Sequence, residues 1–238
     1  MSVAIVTGAS RGLGEAVARG LARTGWSLVI DARDGAALRA AAERIRASSA
    51  DDVRVVTVAG DVTDVDHRRA LTDAAVTLGG IDLVVNNAGT LGTSPLPSLA
   101  DYPLDDLRVA FEVNVIAPLA LIQESLPFLL DSPHPRVLNV TSDAGVEAYE
   151  GWGGYGAGKA ALEHLGAVLA VEFPSLTVWS VDPGDLRTVM HQAAFPGEDI
   201  SDRAEPQSVV PAFLQLIESR RPSGRYRAGE LAPTGAVA

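Results

Sequence analysis

The chain has 238 residues, with 19 Lys plus Arg against 30 Asp plus Glu, a formal net charge of −11 and a pI near 4.7. That acidity argues against a nucleic-acid binder, which needs a basic face, and against docking on an anionic membrane. Without cysteine there is no disulfide framework, thiolate metal site or cysteine nucleophile.

Hydrophobic residues at 47 % and charged residues at 21 % are globular values. The four histidines show no metal-ligand spacing. No stretch reads as the roughly 18 apolar residues of a membrane span, and the N-terminus lacks a signal-peptide pattern. These features predict a soluble, cytoplasmic protein with one domain over residues 1–231 and a frayed tail over 232–238.

Taken in chain order, short apolar runs alternate with helix-length amphipathic segments. Val3 to Val6 reads as a buried strand and Gly12 to Thr24 as a helix. Between them lies Thr7-Gly8-Ala9-Ser10-Arg11-Gly12-Leu13-Gly14. Glycines between a strand and a helix let the backbone approach a pyrophosphate, which the free N–H groups of the helix start then bind. Leu28 to Ile30 is a second strand, followed by Asp31-Ala32-Arg33. A carboxylate at this place bonds the ribose hydroxyls of NAD, and an arginine accommodates the 2′-phosphate of NADP. Both are present, with Arg11 as a second cation, so the residues favour NADP(H) unless Asp31 turns towards the ribose.

A helix over Gly35 to Ser48, a strand over Val53 to Val58 and a helix over Asp64 to Leu78 come next. Ile81 to Val85 is a strand, and Leu104 to Leu130 a long helical region with Pro118 and Pro127 as expected kinks or breaks. Val137 to Val140 is a strand, Tyr155 to Glu172 a helix, Leu176 to Val181 a strand and Pro206 to Ser219 a last helix, with a short strand at Arg225 to Arg227. Continuous apolar strands imply burial on both faces. The fold class is therefore α/β, a single Rossmann-fold domain with a doubly wound, mostly parallel sheet of about seven strands. Two irregular tracts, Thr90 to Pro103 and Thr188 to Pro206, are long enough to carry function.

Tyr155 and the only lysine in the sequence, Lys159, stand four apart at the start of a predicted helix and so share a face. An ammonium beside a phenol favours the phenolate and lowers its pKa, which suits proton exchange with an alcohol or carbonyl oxygen. Ser142 ends a strand on the side where such sheets bind ligands, within reach of the same oxygen.

Together these residues resemble the short-chain dehydrogenases/reductases over nearly the whole chain. The matching motifs are Thr7-Gly8-x-x-x-Gly12-x-Gly14, Gly60-Asp61-Val62, Asn86-Asn87-Ala88-Gly89, Asn114, Ser142, Tyr155, Lys159, and Pro183-Gly184 with Thr188. The resemblance implies a catalytic tetrad of Asn114, Ser142, Tyr155 and Lys159. Tyr155 moves the proton, Ser142 polarises the substrate oxygen, Lys159 lowers the Tyr155 pKa and bonds the nicotinamide ribose, and Asn114 positions a relay water. It implies a cofactor site over Gly8, Ser10, Arg11, Gly12, Leu13, Gly14, Arg33, Asp61, Val62, Asn87, Ala88, Gly89, Tyr155, Lys159, Pro183, Gly184, Leu186 and Thr188. In that family the NAD-selecting Asp falls at Ala32 and the NADP-selecting Arg at Arg33, which supports NADP(H) over NAD(H).

Residues 151–161, 169–172 and 183–190 are similar to the sepiapterin reductase and benzil reductase branch, although the 225–230 stretch lacks a clear equivalent of the acid that anchors the pterin. Expected substrate contacts are Ser142, Trp152, Tyr155, Met190 and Phe195, with Asp143 and Glu147 bordering the site. No metal is expected. The implied activity is NADP(H)-dependent reduction of a ketone, diketone or aldehyde, or the reverse alcohol oxidation, by a homodimer or homotetramer. An NAD-dependent alcohol dehydrogenase and a non-catalytic dinucleotide sensor are the alternatives.

Overall fold

The computed structural model describes residues 2–219 and 221–231. The tail assigned to 232–238 lies outside the described residues. Seven strands form one parallel sheet in the order β3-β2-β1-β4-β5-β6-β7. They are β1 (Val3–Val6), β2 (Ser27–Ala32), β3 (Val55–Ala59), β4 (Leu83–Asn86), β5 (Arg136–Val140), β6 (Thr177–Asp182) and β7 (Gly224–Arg227).

The helices are α1 (Gly12–Arg23), α2 (Gly35–Arg46), α3 (Val65–Leu78), α4 (Leu104–Phe111), α5 (Ala117–Leu130), α6 (Gly153–Glu172), α7 (Val189–Ala194) and α8 (Val210–Glu218). Along β1, Ala4 and Val6 enter one core with Leu28, Ile30, Leu21 and Phe213, while Val3 and Ile5 enter the other with Val29, Leu71 and Leu121. Burial on both faces is why the strands read as unbroken apolar runs rather than alternating ones.

The order reverses between β1 and β4. The crevice beyond the C-terminal ends of strands at such a switch point is where ligands bind, and it is lined here by the glycine loop after β1 and by Asn87 to Gly89 after β4.

Three sequence expectations need correction. Pro118 and Pro127 do not break the region from Leu104 to Leu130: Pro118 is the second residue of α5, directly after a π-helical turn, and Pro127 lies inside α5. The irregularity falls instead at Glu112–Ile116, a π-helical turn joining α4 to α5. The same 27-residue helical stretch is long and apolar enough to span a membrane by length and composition, contrary to the expectation that none is. Its Leu121, Ile122 and Leu129 are buried in the core beside α3. Finally, the tract after β6 is not wholly irregular, because it contains α7.

Candidate active site

The glycine loop is built to hold an anion. Gly8 has φ +68°, in the left-handed region that favours glycine. At Gly14 an added Cβ would lie 2.4 Å from Asn87 Nδ2 and 2.5 Å from the Gly8 carbonyl oxygen. Helix α1 then starts with no side-chain cap from Arg11, so its first N–H groups are free to bind a phosphate. Asn87 Nδ2 donates to the carbonyls of Thr7 (2.8 Å) and Gly8 (3.2 Å), and Thr7 Oγ1 accepts from the N–H groups of Asn87 and Ala88, each at 3.0 Å. Asn87 therefore holds the loop with its side chain rather than offering that amide to a ligand. Thr7 was missed as a site residue; its only sequence signal is the Thr-Gly pair itself.

Arg11 and Arg33 are both exposed at this end of the sheet. Asp61 is closed into a local turn, accepting from Thr63 N–H (2.9 Å) and Thr63 Oγ1 (2.8 Å). The Thr63 N–H holds its carboxyl below the usual range, with the Arg33 and His67 charges adding to that effect. The side chains of Leu13 and Leu186 enter the core, which leaves only their backbones to face a cofactor. Ser10, Gly12, Val62, Ala88, Gly89, Pro183 and Thr188 are half-buried around the same crevice, and Gly184 is exposed. Thr188 Cγ2 stands 3.7 Å from where a Gly12 Cβ would be, so the segment after β6 reaches over the glycine loop. Uncapped N–H groups, close glycines and two outward guanidiniums fit a dinucleotide.

Asn114, Tyr155 and Lys159 come together in the next part of the crevice, and Ser142 follows β5 two residues after Val140, whose carbonyl accepts from Lys159. Lys159 is buried, and its Nζ donates to the Val140 carbonyl at 2.8 Å and lies 5.4 Å from the Tyr155 ring centre. Gly89 faces both Asn114 Oδ1 and Lys159 Nζ, which are 3.2 and 3.8 Å from the place of an added Cβ. Asn114 sits in the π-turn, a feature often found at functional sites. Its side-chain amide is committed at both ends to Thr90, accepting the Thr90 N–H (2.9 Å) and donating to the Thr90 carbonyl (2.8 Å). This side chain therefore holds Thr90 rather than the water expected of it. Ser142 Oγ donates to Asp143 Oδ1 at 2.9 Å and accepts from Ala144 N–H at 3.2 Å.

One electrostatic expectation is reversed. Burial pushes the Tyr155 phenol up from its ordinary value, and the Asp182 and Asp143 charges push the same way. Tyr155 belongs to a cluster with Leu91 and Ala144, covered by Leu96, Trp152, Met190, Ala193 and Ala194, which takes the phenol out of water. Lys159 is itself lowered to about 8 by burial, with Glu163 opposing. Because it is the only lysine, ¹³C-lysine labelling yields one ε-carbon resonance, expected to titrate near pH 8. A midpoint at the ordinary 10.5 contradicts the burial.

The expected substrate contacts do gather here. Trp152 meets the Tyr155 ring edge-on at 5.7 Å and lies 6.0 Å from Phe195, and Met190 packs on the same cluster. Ser94 Oγ donates to the Ala193 carbonyl at 2.6 Å, tying the first irregular tract to α7. Asp143 and Glu147 share the Tyr149 hydroxyl, 3.0 Å from each, at the rim.

Arg225 on the edge strand β7 was not foreseen. Its Nη2 donates to Asp182 Oδ2 (2.9 Å) and the Ser142 carbonyl (3.3 Å), and its Nε to Glu163 Oε1 (3.2 Å). The contact to Ser142 spans 83 residues, beyond any local pattern. The Asp182 and Glu163 side chains are only 6 % and 14 % exposed, so removing the guanidinium leaves Glu163 with the Thr141 hydroxyl and Asp182 with the Gly184 N–H and the more distant Arg227. Arg225→Met is expected to cost about 2–3 kcal/mol in a urea melt; a change below about 0.5 kcal/mol rules out this bracing role.

A family model of short chain dehydrogenases matches residues 2–199. The chain belongs to this family. Among relatives of this short-chain dehydrogenase, the uncharacterized oxidoreductase YciK of Escherichia coli K12 is 32 % identical over 227 residues, covering 93 % of this chain and 89 % of YciK. An uncharacterized oxidoreductase of Mycobacterium tuberculosis is 34 % identical over 212 residues, covering 88 % of this chain and 78 % of that protein.

Among solved structures, a short chain dehydrogenase of Shigella flexneri complexed with NADP superposes with a TM-score of 0.87 at 29 % identity, covering 96 % of this chain and 97 % of that one. An alcohol dehydrogenase of Thermococcus sibiricus complexed with 5-hydroxy-NADP gives 0.85 at 26 % identity, with 95 % of each chain covered. This short-chain dehydrogenase is accordingly an oxidoreductase with a Rossmann-type parallel sheet, in a family that acts on small molecules through a nicotinamide dinucleotide.

Proposed function

We propose that the chain is an NADP(H)-dependent carbonyl reductase, acting on a ketone, diketone or aldehyde or on the corresponding alcohol. The observation that supports this reading most is Tyr155, Lys159 and Asn114 gathered around Gly89, with Ser142 just after β5, beside a glycine loop flanked by exposed Arg11 and Arg33. A bound nicotinamide dinucleotide supplies the hydride. Gly8 to Gly14 and the start of α1 bind its pyrophosphate, Arg11 and Arg33 its 2′-phosphate, and Lys159 a ribose hydroxyl.

Ser142 Oγ turns from Asp143 to donate to the substrate oxygen, and Tyr155 gives that oxygen its proton. A phenol that burial keeps protonated suits the acid of a reduction. Trp152, Met190 and Phe195 exclude water and face the apolar part of the substrate. Together with the local likeness over 151–161, 169–172 and 183–190, they favour planar or aromatic carbonyls, including vicinal diketones. Exposed Leu104, Val109 and Ile116 on the α4–α5 stretch, with Val168 and Val171 on α6, support a homodimer or homotetramer.

The test compares kcat/KM for NADPH and NADH over a panel of aldehydes, diketones and quinones. We expect NADPH to be preferred by at least about 20-fold; a preference for NADH overturns the cofactor assignment.

A further inference from the structure

Asp31 brings a carboxylate to the end of the second strand, one residue before Ala32, where the family carries the Asp that selects NAD by bonding the ribose. The Asp31 carboxylate faces inward. Its side chain is 1 % exposed, and Oδ1 accepts the Gly8 N–H at 2.6 Å. Oδ2 lies 3.0 Å from His67 Nε2, and the His67 side chain is 5 % exposed. A carboxylate only accepts, so His67 carries its proton on Nε2. His67 comes from the first turn of α3 and lies over Gly60, the residue after β3. An added Cβ at Gly60 would be 2.2 Å from His67 Nδ1. Gly60 therefore gives the histidine the room to reach the second strand. The charged groups at this end of the sheet include Asp61, which feels both Arg33 and His67, and Asp34, which feels Arg39 and Arg11.

We propose that His67 is a cofactor-specificity residue: it holds Asp31 beneath the glycine loop so that this carboxylate does not oppose a 2′-phosphate. The proposal rests on the NADP(H) reading above. With His67 in place, both Asp31 oxygens are bonded inside the protein, and the guanidiniums of Arg11 and Arg33 are exposed at this end of the sheet with Asp34, whose carboxylate caps α2. Without the imidazole, Asp31 keeps one bond and is a buried carboxylate lacking a partner. That state is relieved by turning out towards Arg33 and the ribose. There it neutralises the arginine, repels the 2′-phosphate and can accept from a free 2′-hydroxyl. NADPH loses affinity and NADH does not.

The experiment measures Kd for NADPH and NADH by calorimetry on the whole chain, with a thermal melt for each variant. In His67→Leu the NADPH Kd is expected to rise about tenfold or more, with the NADH Kd unchanged or lower. His67→Gln, which keeps an N–H donor, retains most of the preference. Asp31→Asn added to His67→Leu restores NADPH binding. Equal weakening of both cofactors in His67→Leu, or failure of the double variant to recover NADPH, overturns the proposal. If His67→Leu does not fold, Asp31→Ser with His67 intact decides: the NADPH preference persists, and its loss overturns the proposal. A wild-type ratio near one is a different failure, because it removes the NADP(H) reading itself.

Discussion

Tyr155→Phe is expected to lower kcat/KM for NADPH-dependent carbonyl reduction by about 10²–10⁴-fold, the usual contribution of a positioned general acid. The NADPH Kd should change less than about threefold, because the variant loses one hydroxyl and keeps the ring. That ring is held by the 5.7 Å edge contact with Trp152 and by packing against Leu91 and Ala144, so the pocket should keep its shape. Steady-state kinetics with a calorimetric Kd separate the two effects. Unchanged turnover removes Tyr155 from the chemistry, and a large loss of NADPH binding assigns it to the cofactor instead.

The second large effect is expected from Gly14→Ala. The new methyl would lie 2.5 Å from the Gly8 carbonyl oxygen and 2.4 Å from Asn87 Nδ2. A backbone atom on one side leaves the loop no flexible group to push aside, so the glycine loop or the start of α1 must shift. Overpacking of this kind costs about 1–3 kcal/mol, read as a Tm lower by roughly 3–10 °C. The same shift withdraws the first N–H groups of α1 from the anion, so the NADPH Kd is expected to rise about tenfold or more. A variant that binds NADPH as wild type does would show that the loop is not the phosphate cradle.

The layered α/β fold was legible because both faces of each central strand are buried; Val3 to Val6 announces that by itself. The glycine loop and the Tyr155–Lys159 spacing were legible because each is local, one a strand-to-helix turn and the other one turn of α6. What was not legible comes from distant contacts. The inward turn of Asp31 depends on His67, 36 residues away, and a strand end read alone leaves its orientation open. The bracing of Ser142 depends on Arg225.

Helix α7 has six residues and no buried ones, too short for a periodic pattern. Its place is set by Met190 and Ala193 packing on Tyr155 and by the bond from Ser94. The π-turn at Asn114 has no sequence signature of its own. The reversed shift of Tyr155 is a matter of burial: spacing places an ammonium near a phenol but says nothing of how dry the pocket is.

The most direct test follows the hydride. With NADPH carrying deuterium at both C4 positions, one deuterium is expected on the carbinol carbon of the alcohol formed from an aromatic ketone or diketone, seen by mass spectrometry. Tyr155→Phe should form little of that product. Labelled NADPH that is bound but never consumed across the panel, or product formed without deuterium, overturns the carbonyl reductase assignment.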